Sequence, residues 1–446
     1  MAFLSEKLIS ASGGVQEETD PDFMSTTSLL HFDGSNNGTN NTFLDSSDSG
    51  HSLTRNGNLT QGSFTPFSAD EGNWSVFYDG TDDYLSIPTS DDFAFGTGDY
   101  TIEAWVWKNT TGQEHIYEGR DGGNTNRILF YVNSANKLAN YINASVKGTA
   151  SSDFPLNQWV HVALTRDGTT LRLFLNGVAS GTSTASLGTS NYPLNVAGDS
   201  TGRLGLEGYV SDVRVIKGTA VYTSAFTPPT APSTAITNTE ALLSFTNAAM
   251  FDQTGKTNVQ TVGNAQLDTS VKKFGTASAE FDGTGDRLIL DNKVLAPVGT
   301  QSFTIECFIY VNANKNYNGI YSAGYGIQMY VNSSGKLQCW LGNSSASFFV
   351  NGLESTTIIP TSTWRHIALV RDSSANTVTW FVEGLEKGQQ TSVTDSVANL
   401  TTYSHTIGSY ESGTYSMNGY IDEFRITNKA RYTSNFTAPT KAFPDL

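Results

Sequence analysis

Apolar and polar positions alternate with a period of two through most of the chain, and Asp, Asn and Gly break the alternation at short intervals. That pattern predicts short antiparallel strands joined by tight turns, because successive side chains of a strand face opposite ways and Asp-Gly permits reversal. The clearest stretch is Phe77-Tyr78-Asp79-Gly80-Thr81-Asp82-Asp83-Tyr84-Leu85-Ser86-Ile87, followed by Tyr100-Thr101-Ile102-Glu103-Ala104-Trp105-Val106-Trp107. It reads as strand, acidic turn, strand, loop, strand. The same text returns as Phe281-Asp282-Gly283-Thr284-Gly285-Asp286-Arg287-Leu288-Ile289-Leu290 and Phe303-Thr304-Ile305-Glu306-Cys307-Phe308-Ile309-Tyr310, both at an offset of 203 residues. A constant offset across two strands and their loop marks a tandem duplication.

Further matches fill out both copies. Ser28-Leu29-Leu30-His31-Phe32 answers to Ala241-Leu242-Leu243-Ser244-Phe245, and Trp159-Val160-His161-Val162-Ala163-Leu164-Thr165-Arg166-Asp167 to Trp364-Arg365-His366-Ile367-Ala368-Leu369-Val370-Arg371-Asp372. Gly208-Tyr209-Val210-Ser211-Asp212-Val213-Arg214 answers to Gly419-Tyr420-Ile421-Asp422-Glu423-Phe424-Arg425, and each copy then closes on Tyr-Thr-Ser, at Tyr222 and Tyr432. The expected organisation is an N-terminal arm over residues 1–27, a first sandwich over 28–229, a polar Pro-containing linker over 230–239 and a second sandwich over 240–446. A meander with turns at this spacing argues for an all-β chain of two antiparallel sandwiches.

Composition narrows the function classes. The chain has 446 residues, enough for two domains of roughly 200 residues. Charged residues are only 15% and the formal net charge is −16. A field of that sign repels polyanions, so nucleic acid is not an expected partner. No apolar run is long enough to span a bilayer, so no membrane insertion is expected. Cys307 and Cys339 fall in predicted strands and read as small buried residues, since one pair is no disulfide framework. The opening residues lack a basic region before an apolar core, so export by a cleaved signal is not expected. They carry a short apolar set, Phe3, Leu4, Leu8 and Ile9, then the acidic Glu17-Glu18-Thr19-Asp20, which together read either as a disordered tail or as an arm that orders by docking on another subunit.

The recurring motifs, Phe-Asp-Gly-Thr-x-Asp, (Tyr/Phe)-Thr-Ile-Glu, Trp-x-His-x-Ala-Leu-x-Arg-Asp and Gly-Tyr-(Val/Ile)-x-(Asp/Glu)-(Val/Phe)-Arg, resemble the concanavalin A-like, laminin G-like jelly roll, twice over residues 28–440. The resemblance implies two tandem jelly-roll sandwiches, a fold that carries lectins, adhesion modules, enzyme appendages and virion parts. It also implies a Ca²⁺ site in each copy, because members often hold that hard cation with carboxylates and loop carbonyls. The matching positions are Asp79, Asp82, Asp83 and Asp212 in the first copy, and Asp282, Asp286 and Asp422 or Glu423 in the second, where Gly285 replaces Asp82. The alternative for Asp-Gly-Thr-x-Asp is a turn shaped by side-chain caps. The acidic arm joined to such modules is similar to structural proteins of marine bacteriophages.

Two kinds of chemistry remain. Aromatic rings stack on pyranose faces, and the candidates for a glycan face are Trp74, Tyr141, Trp340 and Tyr410, while Trp105, Trp107, Phe308 and Tyr310 line one side of their strands and equally suit packing. Hydrolysis needs paired carboxylates. The glucanases that share this fold set them as Glu-x-Asp-x-x-Glu, and no such run occurs. Glu103 and Glu306 recur singly, and His161 and His366 recur without a partner nucleophile, so these read as structural residues and the chain as non-enzymatic. The expected function is a phage virion component, a capsid decoration, fibre or tail-associated protein. It would be held by its arm to other virion proteins, form homo-oligomers and display two sandwiches that bind glycans. The alternative is a secreted carbohydrate-binding adhesin at the cell surface, with a glycan hydrolase behind both.

Overall fold

The structure is a computed structural model, and it describes residues 20–67, 74–120, 127–187, 191–244, 248–290, 297–343, 347–398, 405–410 and 413–444. The arm residues Phe3, Leu4, Leu8 and Ile9 lie outside the described residues. The chain divides into two units, one of residues 41–248 and one that combines residues 1–40 with 249–446. Each unit is a pair of antiparallel sheets with a shared apolar core, as the period-two pattern requires.

In the first sandwich one sheet runs Val178–Thr184, Thr170–Leu175, Trp159–Asp167, Tyr100–Lys108, Glu207–Lys217, Ser75–Asp79, Thr60–Gly62. The other runs Ser145–Thr149, Leu138–Ile142, Arg127–Val132, Glu114–Arg120, Tyr192–Val196, Tyr84–Ser90, Thr54–Asn56. Ile102, Ala104 and Val106 enter the core with Val160, Val162, Ile128 and Phe130, which leaves Trp105 and Trp107 on the outer side. There the rings pack on their own neighbours, Trp107 against Phe64 at 5.1 Å and Trp159 at 6.0 Å. The second sandwich repeats the plan. Ile305, Cys307 and Ile309 face its core, and outer Phe308 is covered by Leu29 and Phe443. Both cysteines are buried and free, as expected.

The expected boundaries need correction. Thr26–Leu30 pairs antiparallel with Asn418–Thr427, the closing strand of the second sandwich, while Thr239–Leu243 pairs with Glu207–Lys217, the closing strand of the first. The leading strand of each copy therefore completes the sheet of the other copy. Residues 20–27 belong to a sandwich rather than a free arm: Asp20 is buried and accepts from Arg425 at 3.1 Å and Arg431 at 2.6 Å. Residues 230–239 are bound to the first sandwich, where Ser233 and Thr234 meet Asp212 and Arg214.

Tight turns fall where the sequence places them. Asp167 pairs with Thr170 across two residues, and Asp372 with Thr377 across four. Asn176-Gly177 and Glu383-Gly384 turn with positive φ at both positions, the hairpin geometry that matches strand twist. A Cβ on Gly177 would collide with the Phe226 carbonyl, and one on Gly384 with that of Phe436, so glycine lets the Tyr-Thr-Ser segment lie against the hairpin.

Candidate functional site

The acidic turns assemble in the same way in both copies. Asp79 accepts from Thr81 N at 2.7 Å, and Asp83 accepts from Asp79 N at 3.0 Å and Asn58 N at 2.7 Å. Asp282 and Asp286 repeat these bonds with Thr284, Asp282 and Asn264. In the first copy the carboxylates of Asp79, Asp82 and Asp83 also gather within 4.8 Å of one another. Burial pushes Asp83 up to about 7, against its two backbone bonds and with added repulsion from Asp79 and Asp82. The triad offers a hard cation three carboxylates, two of whose oxygens on Asp83 already accept N–H bonds, against the six to eight oxygens calcium takes.

The other expected ligands stand elsewhere. Asp79 pairs with Glu207, and Asp212 sits further along the strand of Glu207, within a bulge between Ser211 and Arg214. The bulge puts Asp212 at φ +53° and turns its carboxylate onto Ser233, which donates from N at 3.1 Å and from Oγ at 2.7 Å. Glu423 has the same φ at the same bulge and accepts from Phe443 N at 2.8 Å, with His31 Nδ1 also at 2.8 Å. Ser233 follows Tyr222 by the same interval as Phe443 follows Tyr432. Asp212 and Glu423 are therefore clamps on the segment that follows each closing strand. Asp422 accepts from Lys273 N and Phe274 N at 2.7 and 3.0 Å, and Asp282 pairs with Asn418, away from it. Neither copy brings together the whole set expected for calcium, four residues in the first and three in the second.

The recurring Glu, His, Arg and Tyr form one buried arrangement, made twice. Glu103 accepts from Arg214 Nε at 2.7 Å, from Tyr222 Oη at 2.8 Å and meets His161 Nε2 at 3.2 Å. Glu306 accepts from Arg425 Nε at 3.0 Å, from Tyr432 Oη at 2.9 Å and meets His366 Nε2 at 3.1 Å. Burial alone would raise both carboxyls. For Glu306 the Arg425 charge, the His366 bond and Arg431 outweigh it and hold the group down to about 2. These motif residues tie strands together, with the Glu, His and Arg buried and the tyrosines half-buried over them.

A concave feature of the first sandwich lies on the outer face of its second sheet. A groove of about 670 Å³ is lined by Gln113, His115, Arg120, Arg127, Tyr131 and Tyr141, and walled by Asp199 and Arg203. Its floor is the small apolar cluster of Leu129, Tyr131 and Ala139, with Tyr141 packed beside it. Arg127 lies over the Tyr141 ring at 5.4 Å and donates to Glu118 from Nε at 2.8 Å. Asp199 accepts from Thr201 N, Thr201 Oγ1, Arg203 N and the Arg203 guanidinium. Burial raises its pKa, but these bonds prevail and hold it down to about 2. Of the expected glycan-stacking residues Tyr141 is therefore in a groove. Trp74 is not available to a ligand, being 8% exposed, with its N donating to the Ser244 carbonyl at 2.9 Å.

The second sandwich treats the same face differently. By strand register Gly319 stands where His115 does, each opposite the tyrosine of the next strand, Tyr330 and Tyr131. A Cβ on Gly319 would strike the backbone of Ser409 and Tyr410, so the short hairpin Ser409–Tyr410 with Tyr415–Ser416 covers that place. Tyr410 stacks on Tyr415 at 5.4 Å and lies 5.4 Å from Tyr330, whose hydroxyl accepts from Trp340 Nε1 at 2.7 Å. Trp340 and Tyr410 thus share a half-buried aromatic cluster. Sequence reasoning missed His115, Arg120, Arg127 and Arg203. The signal was there in the outward positions of two neighbouring strands, whose residues are not repeated in the second copy.

The family model described as the concanavalin A-like lectin/glucanases superfamily matches residues 79–222 and again 282–434, more than half of the chain. The chain belongs to this superfamily. Its two matched regions lie one in each sandwich, and they span the Glu, His and Arg of both buried arrangements. No curated protein matches the chain. Solved structures similar to it include domain 4 of an extracellular GH43 arabinanase from Geobacillus stearothermophilus in complex with arabinotriose, at 19% identity, 40% of this chain, 86% of that chain and TM-score 0.32. Domains LG4-5 of the mouse laminin alpha1 chain align at 11% identity over 86% of this chain and 94% of that one, TM-score 0.27. A putative carbohydrate binding protein from Bacteroides ovatus aligns at 14% identity over 76% and 79%, TM-score 0.27.

Proposed function

We propose that the protein binds carbohydrate in the groove of its first sandwich and performs no chemistry on it. The observation that carries this reading is a single groove that sets two tyrosine rings, Tyr131 and Tyr141, among convergent donors from Gln113, Arg120, Arg127 and Arg203. A pyranose presents an apolar face and a rim of hydroxyls, which is the complement of such a surface. Binding rather than cleavage is supported by the lining, which among the described residues holds one carboxylate, Asp199, with both oxygens already accepting hydrogen bonds. Glycosidic cleavage calls on two. Tyr141→Ala is expected to weaken binding to immobilised glycans about tenfold, from the loss of one stacked ring, with an unchanged melting temperature. Binding that survives the substitution intact removes the groove from this role.

A second reading adds display on a phage particle, and the fixing of Asp20 by Arg425 and Arg431 favours it. Residues 1–19 lead directly into that buried ion pair, so a load on the apolar set Phe3, Leu4, Leu8 and Ile9 passes into the second sandwich. In this reading those residues hold the protein to other virion proteins. Deleting residues 1–19 is expected to abolish incorporation into particles while both sandwiches stay folded, measured by mass spectrometry of purified particles. Undiminished incorporation dismisses the attachment.

A further inference from the structure

Three arginines converge on one groove of a chain whose formal charge is −16. We propose that this groove selects a sugar bearing an acid group, a carboxylate or a sulfate ester, over its neutral counterpart; the inference rests on the groove being a carbohydrate site. Among the described residues, the acidic side chains nearby each already meet an arginine. Asp199 is taken up by its own turn and by Arg203, and Glu118 by Arg127 at 2.6 Å. Arg120 differs from the other two, since among the described residues its guanidinium meets the neutral Ser200 Oγ, at 3.1 Å. A guanidinium is a planar fork that matches an oxyanion, and next to an anionic ligand it makes the stronger, charge-assisted kind of hydrogen bond.

An independent observation points the same way. His115 lines the groove, is 1% exposed, and has no hydrogen-bond partner on either ring nitrogen among the described residues. Its ring stands edge-on to Tyr131 at 6.3 Å. A buried donor left unpaired costs stability, so such a group at a groove wall is satisfied when a ligand arrives. Burial, and then the charge of Arg127, hold the imidazole down to about 4. Neutral at pH 7, it offers one donor and one acceptor, which suits a hydroxyl or an acid oxygen on the ring of a sugar. The other copy makes the contrast. Register places Gly324 and Gly326 where Arg120 and Arg127 stand and Gly319 where His115 stands, and the Tyr410 hairpin covers the position. The charge and the unpaired imidazole belong to the first sandwich.

The test is an array carrying neutral, uronate-bearing, sialic-acid-bearing and sulfated glycans, probed with the full-length protein and with Arg120→Gln. Acid-bearing glycans are expected to be retained about tenfold or more strongly than neutral ones, the increment of one charge-assisted bond, and rising salt is expected to weaken them. Arg120→Gln lowers retention of acid-bearing glycans about tenfold more than that of neutral ones, so that the ratio falls toward one, while the melting temperature stays as it was. Retention of uronate and sialic-acid glycans assigns a carboxylate, and of sulfated glycans alone a sulfate ester. Equal retention of neutral and acidic glycans, lost in Tyr141→Ala but not in Arg120→Gln, overturns charge selection and leaves the carbohydrate reading standing. No retention of any class overturns both.

Discussion

A fragment of residues 41–248 is expected to fold as one cooperative sandwich, and a fragment of residues 28–229 is not, although the repeat in the sequence points to the second. The shorter cut removes Thr239–Leu243, which pairs with the closing strand through Val213, Arg214 and Val215. Ala241 and Leu243 are fully buried in the core, and Leu242 N donates to Asp45 at 2.9 Å. Removing two leucines and an alanine from the interior costs about 5 kcal/mol, at roughly 1.5–3 kcal/mol per large side chain, comparable with the whole stability of a domain. The same cut leaves Leu29, Leu30 and Phe32 without the sheet they cover in the other unit. Urea denaturation followed by near-ultraviolet circular dichroism checks it. A cooperative transition of equal midpoint in the 28–229 fragment would falsify the exchange of leading strands.

Glu306→Ala is expected to destabilise the second sandwich by about 3–5 kcal/mol, the range for removing one partner of a buried ion pair. The loss leaves Arg425 buried, 4% exposed at its side chain, with Asp20 as its remaining carboxylate. Tyr432 and His366 lose their acceptor at the same time. Glu103→Ala should act likewise in the 41–248 fragment through Arg214, Tyr222 and His161. Acid works on the same bond. The folded carboxyl titrates at about 2, below its ordinary value of 4.5. Its contribution is therefore present above pH 4.5 and is lost as pH falls toward 2, by on the order of 3 kcal/mol in total. Denaturation midpoints recorded down that range should fall in the wild type and flatten in Glu306→Ala; parallel curves would show that this carboxylate carries no such linkage.

Much of the fold was legible because local rules decide it. Alternation puts Ile102 and Val106 on one side of their strand and Trp105 and Trp107 on the other, and the structure gives the core to the first pair. The Asp79 turn and the Asp167 hairpin follow from what Asp and Gly permit. The candidate site was not legible for a physical reason. His115 and Arg120 come from one strand, Arg127, Tyr131 and Tyr141 from two others, and Arg203 from a loop that follows a fourth. Only the order of strands in the sheet brings them to one groove, and no linear spacing encodes that order. Asp212 and Glu423 were misread for a related reason: one extra residue in a strand reverses where a carboxylate points, and alternation cannot foresee it.

The sequence by itself determined the doubled all-β body, the positions of its turns and the residues that fill each core, because these depend on periods and propensities within a few residues. Which leading strand completes which sheet was decided only by the tertiary structure. Leu29-Leu30 and Leu242-Leu243 are locally alike, so neither carries a preference for one closing strand over the other. The strand Thr239–Leu243 reaches the first closing strand across residues 218–238, whereas Thr26–Leu30 would have to reach it across residues 31–206. The shorter loop loses less chain entropy on closure, so the first sandwich is completed by the strand that follows it, and Thr26–Leu30 is left to complete the second.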